Sequence, residues 1–142
     1  MHITFVCTGN TCRSPMAEGI AKKLLNEKYS DSGITVSSAG VSASNGSAPS
    51  ENSVIVCEEI GVDISKHRSS SVTHDLLEQT DVFAVMTKSH AEILKFYGVP
   101  EDKMIVLGGG IPDPFGGSVA IYRECRDIIF GAVNELLERL IG

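Results

Sequence analysis

The stretch "HITFVCTGNTCRSP", His2 to Pro15, decides how the chain folds. His2 to Cys7 is mostly apolar and β-branched and stops at a glycine-bearing loop, as a buried strand does. Pro15 then stands where a first helical position favours proline. Ala17, Ile20, Ala21, Leu24 and Leu25 follow at helical spacing and give one apolar stripe. A strand, a tight polar loop and a helix in that order open an α/β unit.

The remainder repeats the alternation. Thr35 to Ser38 predicts a second strand that closes at Gly40, and the Ser-, Asn- and Gly-rich residues Ser42 to Ser50 predict a loop. A short helix should then run to Ile60, stopped by Gly61. Thr73 could cap a helical turn through Leu77, and "DVFAVM", Asp81 to Met86, reads as a third strand. Ser89 and Glu92 have capping-box spacing for a helix finishing by Gly98 and Pro100. "MIVL", Met104 to Leu107, makes a fourth strand. Ile121, Cys125, Ile128, Ala132, Val133, Leu136 and Leu140 lie on one face of a long last helix. The pattern predicts one α/β domain over residues 1–142, its parallel sheet covered by helices on both faces. Ligands of such sheets collect beyond the carboxyl ends of the strands. Both the opening loop and "GGGIPDPFGG", Gly108 to Gly117, belong at that end.

The totals narrow the function classes. A chain of 142 residues with 42% hydrophobic and 21% charged residues can bury a core without disulfides or a structural metal. The net charge of −6 argues against nucleic acid or an anionic membrane as the main partner, while leaving room for a locally positive pocket. No secretory signal pattern opens the chain and no run approaches a membrane span, so the expected location is cytoplasmic. Cys7, Cys12, Cys57 and Cys125 are then expected as reduced thiols. Their spacing has no zinc-ligand character, and no metal or cofactor is expected.

Cys7 and Arg13 bracket five residues, and Ser14 follows. Between a buried strand and a helix, the N–H groups of Thr8, Gly9, Asn10, Thr11 and Cys12 can curl around an oxyanion, and the helix end adds partial positive charge. Gly9 would permit the turn, and Asn10 tolerates positive φ. Arg13 offers a planar fork that matches two phosphoryl oxygens. Cys7, at the loop's base, would be aimed at phosphorus. A thiol attacks only as the thiolate, so Ser14 and the amides must stabilise the anion. Cys12 lacks such a partner, since Glu18 stands five residues beyond it; it is a packing residue or a redox partner for a disulfide with Cys7. The leaving group needs a proton from another segment, and Asp113, restricted by Pro114, is the candidate acid. Phe115 would wall the pocket or pack on the core. His67 is the one histidine expected to support the loop, behind Asn10, and Ser38 could join it at the end of its strand. His2, His74 and His90 show no such context.

Together these residues resemble the low-molecular-weight protein tyrosine phosphatases. The resemblance rests on "VCTGNTCRSPMAE" (Val6 to Glu18), "SAG" (Ser38 to Gly40), "GVDISKHRSSS" (Gly61 to Ser71) and "DPFGG" (Asp113 to Gly117). It implies a four-stranded parallel sheet, a cysteinyl-phosphate intermediate and no metal. It also implies Cys7 as nucleophile, Arg13 as phosphate clamp and Asp113 as acid and then base, with Asn10, Ser14, Ser38 and His67 supporting the loop. Thr11 replaces the larger aliphatic residue common in tyrosine-directed members, and Val41 to Ser50 carries no aromatic residue. Thr11 with "DPFGG" is similar to the protein arginine phosphatase branch. The expected reaction is hydrolysis of phosphoarginine in proteins, in a monomer or weak dimer. A tyrosine phosphatase and an arsenate reductase of the same fold are the alternatives, the latter disfavoured because Cys57 and Cys125 stand far apart in the chain.

Overall fold

A computed structural model describes all residues, 1–142. Four strands, β1 (His2–Cys7), β2 (Thr35–Gly40), β3 (Val82–Val85) and β4 (Met104–Val106), form one sheet in the order β2-β1-β3-β4, and every pairing is parallel. Five helices connect and cover it: α1 (Arg13–Lys28), α2 (Glu51–Glu58), α3 (His74–Gln79), α4 (Lys88–Phe96) and α5 (Val119–Ile141).

The two-residue period of the strands divides the core. Ile3, Phe5, Cys7, Ala84 and Met86 join the larger cluster with residues of α1, α2 and α5. Val6, Phe83 and Val85 face the other way, onto Leu94 and Val99, with Leu77 and Ala91 at the margin. Both faces of β1 are therefore buried, which its near-continuous apolar run requires. The strand order reverses at β1, and a reversal point in a parallel sheet leaves a crevice at the carboxyl ends. The loop between β1 and α1 sits at that crevice.

Three expectations need correction. Helix α1 begins at Arg13, two residues before Pro15, with Cys12 at its N-cap. Pro15 is tolerated there because the first-turn N–H groups have no intrahelical acceptor. Helix α4 is capped by Thr87, whose hydroxyl oxygen accepts from the His90 N–H, rather than by Ser89. On α5 the buried face carries Tyr122, Cys125, Arg126, Ile129, Val133, Leu136 and Leu137, while Ile121 and Ile128 are 48% and 46% exposed. Hydropathy alone selects those isoleucines. Arg126 takes a buried position because its guanidinium is satisfied by the Val56 carbonyl and the Glu59 carboxylate.

Candidate active site

Cys7 ends β1, and its sulfur lies 2.8 Å from Ser14 Oγ in the first turn of α1. The Asn10 N–H also donates to it, at 3.3 Å. Asn10 is buried and is the one non-glycine residue with positive φ, at 56°. Its side chain fixes the direction of the surrounding hydrogen bonds. Asn10 Oδ1 accepts from the Ser70 N–H (2.9 Å), which settles which end of the amide is oxygen. Nδ2 must then donate both its protons, to Ser14 Oγ (2.8 Å) and Ser38 Oγ (3.0 Å). The Ser14 hydroxyl proton is left for Cys7 Sγ, and the Ser38 proton goes to Glu18 Oε1 at 2.5 Å. His67 Nε2 meets the Asn10 carbonyl at 2.9 Å. The loop supports expected at Asn10, Ser14, Ser38 and His67 are thus assembled around one thiol.

Arg13 is 4% exposed, with Nη1 donating to the Ile111 carbonyl at 2.8 Å. The Ile111 N–H in turn donates to the Met86 carbonyl at 2.7 Å. The segment that carries the candidate acid is therefore latched both to the end of β3 and to the arginine. Asp113 Oδ2 stands 3.8 Å from Arg13 Nη2, with its side chain half exposed, and Oδ1 accepts from the Phe115 N–H at 3.1 Å. A cavity of about 280 Å³ is lined by Cys7, Thr8, Gly9, Thr11, Cys12, Arg13, Asp113 and Phe115. It gathers a thiol, a buried cation and an exposed carboxylate, a set suited to nucleophilic attack on a bound oxyanion followed by proton transfer. A larger concavity of about 500 Å³ lies by Leu25, Tyr29 and Ile34, at the other end of β2, and no cysteine or histidine lines it.

Phe115 is 79% exposed, which selects the pocket-wall reading over core packing. Cys12 is buried and packs its sulfur 3.4 Å from the Tyr122 hydroxyl. Gly9 is not the residue on which the turn depends. A Cβ there would meet only Thr11 Oγ1, at an ordinary 3.6 Å. The close approach falls on Gly40, where a Cβ would lie 2.5 Å from the Thr8 carbonyl oxygen and 3.0 Å from the Asn10 nitrogen.

His90 is the main residue that sequence reasoning missed. It is 4% exposed, with Nε2 2.9 Å from Thr8 Oγ1 and Nδ1 3.0 Å from Thr87 Oγ1. Burial, with help from the Arg13 charge, pushes its pKa down to about 4, against an opposing pull from Asp113. Tyr122 was missed as well; burial and the contact with Cys12 raise its hydroxyl to about 12. Both reach the loop from more than 80 residues away, and nothing local marks them.

Comparison with known proteins agrees with this geometry. Residues 2–141 match the family model described as low molecular weight phosphotyrosine protein phosphatase. The protein-arginine-phosphatase of Bacillus subtilis (strain 168) is 36% identical over 148 residues, covering 99% of this chain and 97% of the relative. The low molecular weight protein-tyrosine-phosphatase PtpB of Staphylococcus haemolyticus is 34% identical over 142 residues, covering 96% of this chain and 97% of its own. Among solved structures, a YwlE arginine phosphatase mutant carrying a phosphorylated active-site serine superposes with a TM-score of 0.90. It is 36% identical, covering 99% of this chain and 95% of that one.

Proposed function

We propose that this chain, which belongs to the low molecular weight phosphotyrosine protein phosphatase family, hydrolyses phosphoarginine in proteins through a phosphocysteine on Cys7. Membership makes it a cysteine-dependent protein phosphatase. The observation that carries the narrower reading is Thr11 on the wall of the Cys7 cavity, in a chain 36% identical to a protein-arginine-phosphatase. A β-branched side chain with a hydroxyl narrows the slot against a phenyl ring and still accepts a slim, polar guanidinium.

In this reading the loop amides and Arg13 hold the phosphoryl oxygens. The Cys7 sulfur, with Ser14 donating to it, forms the S–P bond as the P–N bond breaks. Asp113 gives its proton to the departing guanidine nitrogen. Its carboxylate then takes a proton from water, the new O–P bond forms, and the S–P bond breaks. Phosphate leaves and the thiolate is restored.

Hydrolysis of tyrosine phosphate is the second reading, favoured by the exposed Phe115 ring at the mouth and by the PtpB relative. An arsenate reductase is poorly supported. Cys57 and Cys125 are buried on α2 and α5, and burial pushes both thiols up to about 12, so neither is available for exchange. Phosphoarginine and phosphotyrosine peptides of matched sequence, assayed under one set of conditions, separate the two phosphatase readings. A higher kcat/KM on phosphoarginine is expected, and a preference for phosphotyrosine would refute the arginine assignment.

A further inference from the structure

Thr8 and His90 form a hydrogen-bonded pair that the chemistry above does not use. Thr8 is exposed and lines the same cavity as Cys7, Thr11 and Asp113. Its backbone is fixed from one side, where its carbonyl accepts from the Ser42 N–H at 2.9 Å. Its side chain is fixed from the other, by His90 in the first turn of α4. His90 is buried with both ring nitrogens engaged by threonine hydroxyls.

A neutral imidazole presents one N–H and one lone pair. Thr87 Oγ1 caps α4 and already accepts from the His90 backbone N–H. A proton on Nδ1 fits that oxygen's remaining lone pair, which leaves Nε2 bare and facing Thr8. The Thr8 hydroxyl then donates into Nε2, and the lone pairs of Thr8 Oγ1 are directed to the cavity. A guanidinium carries only N–H donors, and it is the group that would pass this point with its phosphoryl end on Cys7. A phenyl ring offers no donor there.

We propose that Thr8 is a second specificity-determining residue, accepting a hydrogen bond from the substrate guanidinium, and that His90 is the positioning residue that turns its oxygen toward the substrate. The inference rests on the phosphoarginine reading and deepens it. Thr11 excludes the ring by shape, whereas Thr8 rewards the guanidinium by chemistry. The low pKa of His90 fits this arrangement, because a protonated ring has no acceptor for the Thr8 hydroxyl.

The test is the ratio of kcat/KM for phosphoarginine over phosphotyrosine peptides in four proteins: wild type, Thr8→Val, Thr8→Ser and the double variant Thr8→Val with His90→Asn. Thr8→Val keeps the shape of the side chain and removes the hydroxyl. It should lower the ratio at least about tenfold, the scale of one hydrogen bond from a charged donor. Thr8→Ser should restore most of it, and the double variant should lose no more than Thr8→Val alone, because His90 acts only through Thr8. A wild-type preference for phosphoarginine that survives Thr8→Val intact would overturn the role of Thr8 and leave the proposed function standing. Equal losses on both substrates would assign the pair a purely structural role. A wild-type preference for phosphotyrosine would overturn both readings together.

Discussion

Asn10 shows how much one residue decides at this site. Positive φ is costly for most side chains and mild for asparagine, so this position couples the turn to a side chain with two donors and an acceptor. Replacing it with Ala keeps neither the turn nor the direction of the Ser14 proton. Asn10→Ala is expected to cut kcat/KM at least tenfold and to destabilise by about 2 kcal/mol, measured by urea unfolding beside the kinetics. Ser14→Ala removes the donor to Cys7 and the acceptor for Asn10 Nδ2, so it should slow alkylation of Cys7 by iodoacetamide at fixed pH and destabilise by about 1–2 kcal/mol. Thr11→Ile should move the substrate ratio toward phosphotyrosine by about tenfold, since a slot discriminates on single methyl groups within that range. Unchanged selectivity would remove Thr11 as the filter. Asn10, Ser14 and His67 were legible because their chemistry is local or written in short motifs. His90, Tyr122 and the Ile111 carbonyl were not, because only the folded sheet brings them to the loop.

At the scale of elements, the turn between β1 and α1 is shaped by its neighbour β2. Gly40 is the strand end against which Thr8 and Asn10 pack, with no room for a methyl group. Gly40→Ala should cost about 2 kcal/mol, visible as a lower urea midpoint at unchanged slope, and should reduce activity as the loop is displaced. Gly9→Ala should be far milder. The sequence favoured Gly9 because glycine inside a phosphate loop is a familiar signal, while a steric demand between a strand end and a neighbouring loop leaves no mark within either. The same limit applies to α4 and α5. The Thr87 cap precedes the expected start of its helix. The face of α5 was set off by its isoleucines, although Tyr122 and Arg126 are buried with their polar ends satisfied.

For the whole molecule, the strand-helix alternation was sufficient for the α/β class and the parallel sheet, because apolar runs of strand length demand cover on both faces. The order β2-β1-β3-β4 is visible only in the folded structure, since periodicity does not say which strands are neighbours. Buried His90 on α4 also makes stability depend on pH. His90 titrates near 4 when folded and near the ordinary 6.5 when unfolded. Between those values the unfolded chain holds more protons, so stability falls as pH falls from about 6.5 to about 4 and levels off below. The loss should reach about 3 kcal/mol at most, and His90→Asn should flatten the slope in that window. Urea unfolding at intervals from pH 7 to pH 4 measures it; an equal slope in the variant would show that His90 is not its source.

In the proposed reaction the decisive step is transfer of the phosphoryl group from arginine to Cys7. The most direct measurement is rapid mixing of the protein with a phosphoarginine peptide, a quench in alkaline denaturant, and peptide mass spectrometry of residues 1–22. Transient phosphate is expected on Cys7, formed as free arginine peptide appears and absent when Cys7 is alkylated beforehand. Phosphate on Cys12, or turnover with no phosphorylated cysteine at any time, would contradict it.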